Sequence, residues 1–206
     1  MKIITIGREF SSGGRELGKR LADILGYDYY DREIITAIAE SKGLQEDYVE
    51  TMLEEQQISS IPISFNHSFG VPMVMHHPQT SLLIEQRKII EKIAEKGRDC
   101  IIVGRNADII LKDYKPFNIF VCATEDWKVA RCFERAEKGE KLSRRQLVRN
   151  MRSIDKNRAF SREFISDSRW GDPEAYDLTV NTTGWNLKEL CLIVAEFVKY
   201  SFEKKN

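Results

Sequence analysis

Arg15 and Glu16 stand where a small-residue loop, Ser11-Ser12-Gly13-Gly14, runs into a helical pattern beginning Leu17-Gly18-Lys19-Arg20-Leu21. Ahead of the loop lies the apolar run Ile3-Ile4-Thr5-Ile6, so the order is strand, tight loop, helix. A loop that feeds a helix N-terminus aims several backbone N–H groups and the positive end of the helix dipole at one spot, which suits an oligophosphate. The same dipole disfavours a cation at the helix start unless an anion is present, and Arg15 is such a cation. The candidate phosphate cradle is therefore Ser11, Ser12, Gly13, Gly14, Arg15, Glu16 and Leu17. Its spacing departs from the usual phosphate loop, which ends Gly-Lys-Ser/Thr, because this one ends Gly14-Arg15-Glu16 and carries Glu9 in place of the first glycine. As a plain turn, Ser-Ser-Gly-Gly is common between a strand and a helix. Its place after the first strand, together with Arg15, favours the anion.

Such a loop needs a sheet to hold it. Short apolar runs alternate with longer helical patterns, which predicts strands at 3–6, 27–30, 100–103, 117–122 and 177–181. Helices are expected at 14–25, 32–41, 81–96, 126–137, 143–168 and 187–202, giving an α/β domain with a parallel sheet covered by helices. At 206 residues the chain is long enough to bury a core as a single domain, 1–206. The 32 Lys and Arg balance the 32 Asp and Glu, which argues against nucleic acid or an acidic membrane as partner and makes any anion site local. Cys100, Cys122, Cys132 and Cys191 form no C-x-x-C pair and read as reduced thiols. The first residues are too soon interrupted by Arg8-Glu9 for a signal peptide and no apolar run is of membrane-spanning length, so cytoplasm is the expected compartment.

Two segments break the alternation. Residues 43–80 hold a short helical pattern at 46–57 and then, at 58–79, a run with three prolines, all three histidines and little charge. A stretch of that length without periodicity usually serves as a lid or a binding segment. His67, His76 and His77 lack metal-ligand spacing and are read as loop residues. The second segment, 134–169, is dense in arginine and lysine, the pattern of a solvated helix face with i,i+4 charge pairs.

Five short motifs in order then carry a specific resemblance: Ile4-Thr5-Ile6-Gly7-Arg8-Glu9-Phe10 with Ser11-Ser12-Gly13-Gly14-Arg15-Glu16-Leu17-Gly18, Tyr29-Tyr30-Asp31-Arg32-Glu33, Ile102-Val103-Gly104-Arg105-Asn106-Ala107-Asp108, Asp155-Lys156-Asn157-Arg158, and Tyr176-Asp177-Leu178 with Asn181-Thr182-Thr183. Over nearly its whole length the chain resembles the cytidylate kinase-like family. The resemblance implies a P-loop NTPase fold with a five-stranded parallel sheet flanked by helices, an acceptor-binding insert at about 43–80 and an arginine-rich lid at about 134–169. It also implies ATP or another nucleoside triphosphate, Mg2+, and small-molecule nucleotide substrates, with cytidylate favoured as acceptor.

Phosphoryl transfer is mainly positioning and charge neutralisation, so it demands a backbone cradle and several cations. Arg15 would take the place of the loop lysine, forked and permanently charged. For Glu16 two readings stay open, a Mg2+ ligand or a first-turn helix acid paired with Arg15 or Lys19. Asp31 and Arg32 fall where the family contacts the acceptor, although Asp31 would equally serve as a helix N-cap. Arg105, at the C-terminal end of a strand, is expected on the acceptor phosphate, with a pairing to Asp31 or Asp108 as the alternative. Asn106 replaces an aspartate of the family pattern, and Asp108 is expected to point elsewhere. Asp155 and Arg158 share a helix face, and the resemblance implies that they, with Arg131, Arg135 and Arg152, belong to the lid and the acceptor site, Asp155 and Arg158 as catalytic groups, Arg158 also on the acceptor, and Arg131 and Arg135 on the nucleotide; helix-surface ion pairs are the alternative. Trp170, before a turn at Gly171-Asp172-Pro173, reads as a packing anchor. No metal ligand and no oligomeric state is assigned. A nucleotide-binding protein without transfer activity and a kinase for another small molecule are the alternatives.

Overall fold

Ile4 and Ile6 face one side of the first strand and Ile3 the other, and all three are buried, so this strand lies inside a sheet covered on both faces. The computed structural model describes residues 1–54, 78–136 and 143–204. Its strands are β1 (Ile3–Arg8), β2 (Asp28–Tyr30), β3 (Cys100–Val103), β4 (Phe117–Cys122) and β5 (Leu178–Asn181). All pair in parallel in the order β2-β3-β1-β4-β5. Ile4 lies opposite Ile101 on one side and Phe117 on the other. Thr5, the polar residue in this run, is accommodated because its hydroxyl donates to Asn118 Oδ1 at 2.6 Å.

The helices are α1 (Gly14–Leu25), α2 (Arg32–Lys42), α3 (Glu46–Glu54), α4 (Pro78–Glu95), α5 (Ala107–Ile110), α6 (Glu125–Arg135), α7 (Arg144–Ile165) and α8 (Leu187–Lys204). Strand alternation sends Ile101 and Val103 into the core under α1 and α8, and Cys100 and Ile102 into the core under α2 and α4. Each isoleucine or leucine fully withdrawn from water there contributes about 1.5–3 kcal/mol. A third, small cluster joins Val129 of α6 to Leu147 and Met151 of α7, with Phe10 of the loop packed on it. Trp170 packs edge-on against Phe120 at 5.2 Å between centroids, the anchor expected of it.

Element ends differ modestly from expectation. α4 begins at Pro78 rather than 81, since a proline is tolerated in a first helical turn. The single turn α5 was not legible, and α7 stops at Ile165, short of the expected 168. All four cysteines are free, with Cys100 and Cys191 buried. The segment expected as a lid or binding segment at 58–79, with His67, His76 and His77, lies outside the described residues up to position 77, as do 137–142 of the arginine-rich segment. Among the described residues no helix is long and apolar enough to cross a membrane.

Candidate active site

β1 delivers Arg8 to the C-terminal edge of the sheet, and the chain then turns through Glu9-Phe10-Ser11-Ser12-Gly13 into α1. Gly13 adopts φ +89°, and a Cβ there would come within 2.8 Å of Leu187 Cδ1, so the turn requires glycine. Hydrogen bonds fix the first half of the loop from several sides. The Phe10 amide donates to Asp155 Oδ1 at 2.6 Å, the Ser11 hydroxyl to the Lys128 carbonyl at 3.0 Å, and the Thr182 hydroxyl to the Ser12 carbonyl at 2.6 Å. Glu9 Oε2 accepts from the Ala123 amide at 3.1 Å and from Lys128 Nζ at 3.0 Å. The amides of Gly14, Arg15 and Glu16 are first-turn donors with no acceptor inside the helix, the groups an anion would satisfy. Leu17, expected in the cradle, is instead a core residue whose amide donates to the Gly13 carbonyl at 2.9 Å.

Four arginines meet beside this loop. Arg15 Nε lies 2.5 Å from Asp31 Oδ2, Arg8 lies 3.9 Å from Asp31 Oδ1, and Arg158 donates to the Arg8 carbonyl at 3.1 Å and to Asp155 Oδ1 at 3.2 Å. Asp31 holds the N-cap position of α2 but its side chain caps nothing; it serves as counterion to the arginines. Burial, then the neighbouring Arg158 and Arg105, lower the pKa of Arg8 to about 9, against the pull of Asp31. The Arg8 guanidinium occupies the space that a Cβ on residue 104 would fill, so Gly104 is what admits it. Arg105 and Asn106 follow with φ +59° and +53°, a left-handed pair costing about 1–2 kcal/mol each. Gln86 of α4 donates to the Arg105 carbonyl at 3.1 Å and Asn106 donates to Ser161 Oγ of α7 at 3.0 Å, which hold that turn. The Arg105 side chain is buried and lies 3.9 Å from Glu50 of α3, neither Asp31 nor Asp108 being its ion-pair partner. Arg32 also reaches Glu50, at 3.5 Å, and does not line the cavities described next.

A cavity of about 450 Å³ opens over the loop between Gly13, Gly14, Arg15, Glu16 and Arg135. A smaller one, of about 60 Å³, lies at the ends of β1 and β3 between Arg105, Asn106, Asp108, Arg162 and Tyr176. Arg8 and Arg158 line both. Asp108 faces the smaller cavity, contrary to expectation, where it forms an ion pair with buried Arg162, itself 5.1 Å from the centre of the Tyr176 ring.

Glu16 pairs with neither Arg15 nor Lys19. Its carboxylate accepts from Arg20 Nε at 3.0 Å, Arg131 at 3.2 Å and Arg135 at 2.5 Å, clasping α1 to α6. Burial pushes its pKa up, but the three arginines outweigh that and hold it below 4.5. The clasp's stability is therefore fully present above the ordinary carboxylate pKa and is lost as pH falls through the lowered folded value. Glu16→Gln should flatten the acid limb of the stability–pH curve below pH 4.5, read by thermal unfolding; an unchanged limb would show that the clasp does not couple to folding.

The profile of the cytidylate kinase-like family matches residues 3–184. The chain belongs to that family. Among solved structures, an uncharacterised protein from Eubacterium ventriosum is 23% identical, with 97% of this chain and 99% of that one covered at a TM-score of 0.69. A shikimate kinase from Bacteroides thetaiotaomicron is 13% identical, with 96% and 98% covered at 0.58. A shikimate kinase from Acinetobacter baumannii, in complex with shikimate, is 12% identical, with 97% and 93% covered at 0.52. At these low identities it is the structural overlap, over nearly the whole of each chain, that shows a shared fold, the P-loop fold of the two kinases. No curated protein matches the chain.

Kinases of this fold use a nucleoside triphosphate with Mg2+ held by the loop Ser/Thr and a second acid. In this family member the first-turn amides, Arg15 and Arg135 around the larger cavity fit an oligophosphate. The acids do not fit a protein-held Mg2+. Glu16 is taken by three arginines, Glu9 by Lys128 and an amide, and Asp155 by the Phe10 amide, Arg158 and Lys128; Asp31 binds Arg15 through Oδ2, and its buried Oδ1, which accepts no hydrogen bond, faces Arg8 at 3.9 Å and lines neither cavity. Among the described residues no group of three or more His, Cys, Asp or Glu side chains is placed to share a metal ion. Sequence reasoning missed Arg8, Lys128, Gln86 and Arg162. Arg8, directly after Gly7 at a strand end, carried the one local signal that could have drawn attention.

Proposed function

We propose that the protein is a phosphotransferase that moves a phosphoryl group from a nucleoside triphosphate on the 11–16 loop to a small anionic acceptor whose phosphate end alone enters the smaller cavity, a nucleoside monophosphate of the cytidylate type being the first candidate. The observation that carries this reading is the wall of Arg8 and Arg158 shared by the two cavities. A donor phosphate over the loop and an acceptor oxygen at the strand ends would meet at that wall. Bound there, the triphosphate supplies an electrophilic terminal phosphorus and leaves as the nucleoside diphosphate. The loop amides orient it, Arg15 and Arg158 neutralise it, and Arg8 takes up negative charge on the transferred group. Arg105, held in its strained turn, orients the acceptor. An acceptor phosphate oxygen is already ionised and needs no general base.

A coupled assay with ATP and a panel of nucleoside monophosphates, extended to hydroxylated carboxylates, tests this. Turnover with at least one acceptor is expected. Arg105→Ala should then lower kcat/KM for that acceptor by about 10²-fold, while triphosphate affinity changes by less than about threefold. Arg158→Ala should lower both, because Arg158 lines both cavities. Triphosphate binding without transfer to any acceptor would favour a binding protein, a reading for which the one specific observation is Arg15 turned onto Asp31.

A further inference from the structure

Position 16 is where a P-loop kinase carries the hydroxyl that helps hold Mg2+, and here it carries a carboxylate whose two oxygens are both engaged. Oε1 accepts from Arg20, and Oε2 from Arg131 and Arg135. Three guanidinium groups thus share one carboxylate, leaving an excess of positive charge in a chain whose total formal charge is zero. That excess borders the larger cavity, which Glu16, Arg15 and Arg135 line. A divalent cation approaching residue 16 would meet this positive field, whereas an oligophosphate would complete it. Each guanidinium has five N–H donors, so a group held by Glu16 through one nitrogen retains others for a second anion. Glu16 also ties Arg131 and Arg135 of α6 to the first turn of α1, which sets them at the cradle before any ligand arrives.

We infer that the Glu16-anchored arginines, with Arg15, neutralise the donor oligophosphate in place of a protein-held Mg2+, so that the triphosphate binds to this protein as well without Mg2+ as with it. The inference rests on the donor-site reading above and adds to it how the charge is met.

The test is calorimetric titration of the full chain with the β,γ-imido analogue of ATP, once in excess Mg2+ and once in EDTA. The two dissociation constants are expected to agree within about threefold. Arg135 is 61% exposed, so Arg135→Gln should leave the fold intact and weaken binding in EDTA by about fivefold or more. Glu16→Ser, which frees the arginines and restores a hydroxyl, should make Mg2+ tighten binding by about tenfold. Binding of the unmodified protein that is about tenfold or more tighter in Mg2+ would overturn this inference and leave the donor site standing. Metal-free binding unaffected by Arg135→Gln would overturn the role given to the clasp, and failure to bind in either buffer would overturn the donor site as well.

Discussion

Arg8→Met is expected to stabilise the free protein by about 1–3 kcal/mol while lowering turnover by about 10²–10³-fold. Arg8 is buried at the end of β1, and burial together with Arg158, Arg105 and Arg15 lowers its pKa to about 9. A guanidinium with that pKa is still charged at neutral pH, so the folded protein carries a buried cation among other cations. Asp31 offsets only part of this, standing 3.9 Å from Arg8 but 2.5 Å from Arg15. Methionine fills similar volume beside Gly104 without the charge; Asp31 keeps Arg15 at Oδ2, and its buried Oδ1, which accepts no hydrogen bond even beside Arg8, loses only a contact at 3.9 Å. The lost function follows from the place of Arg8 in the wall between the two cavities. Such a trade of stability for a charged site is a general feature of active centres. Thermal unfolding and the coupled assay on the same preparations would check it, and inorganic pyrophosphate should raise Tm more for the unmodified protein than for the variant. A variant that loses stability would show that Arg8 is structural, and one that keeps full turnover would remove it from the reaction.

Asp155→Ala should cost about 2–4 kcal/mol of stability and weaken triphosphate binding by about tenfold or more. Its carboxylate is a joint between α7 and the loop, accepting from the Phe10 amide at 2.6 Å and Arg158 at 3.2 Å and standing 3.7 Å from Lys128. Alanine leaves a backbone amide unpaired and removes one anion from Lys128 and Arg158, while the apolar seat of Phe10 on Val129, Leu147 and Met151 stays in place. Burial raises the Asp155 pKa above 3.8, more than the Phe10 amide, Arg158 and Lys128 lower it. The charge itself is therefore a burden on the fold. A raised carboxylate contributes stability that is fully present below its unfolded pKa and is lost as pH rises through the folded one. Asp155→Asn retains an acceptor for the Phe10 amide and should cost less than about 1 kcal/mol near neutral pH. Denaturant unfolding of the two variants side by side reads the difference; equal losses would mean that the ion pairs, not the amide contact, hold the loop.

The course of the chain from β1 through the loop into α1 was legible because every signal for it is local. A buried run, small residues at the turn and an amphipathic helix lie within the first 25 residues, and strand and helix periods report burial without reference to distant partners. The five strands and the family motifs were legible for the same reason, being short runs of fixed order. The partners of charged residues were not. Glu16 was open between metal, Arg15 and Lys19, and its actual partners on α6 lie 115 and 119 residues away. Asp31 was read as a cap or an acceptor contact, yet it became a counterion because folding places Arg8 and Arg15 on either side of it. Long charged side chains reach several ångströms in many directions, so sequence spacing restricts their pairing only within a helix. The sequence by itself determined the sheet, the loop from β1 into α1 and the supply of arginines; the tertiary structure alone decided which carboxylate each arginine meets, and hence that two of them form a wall common to both cavities.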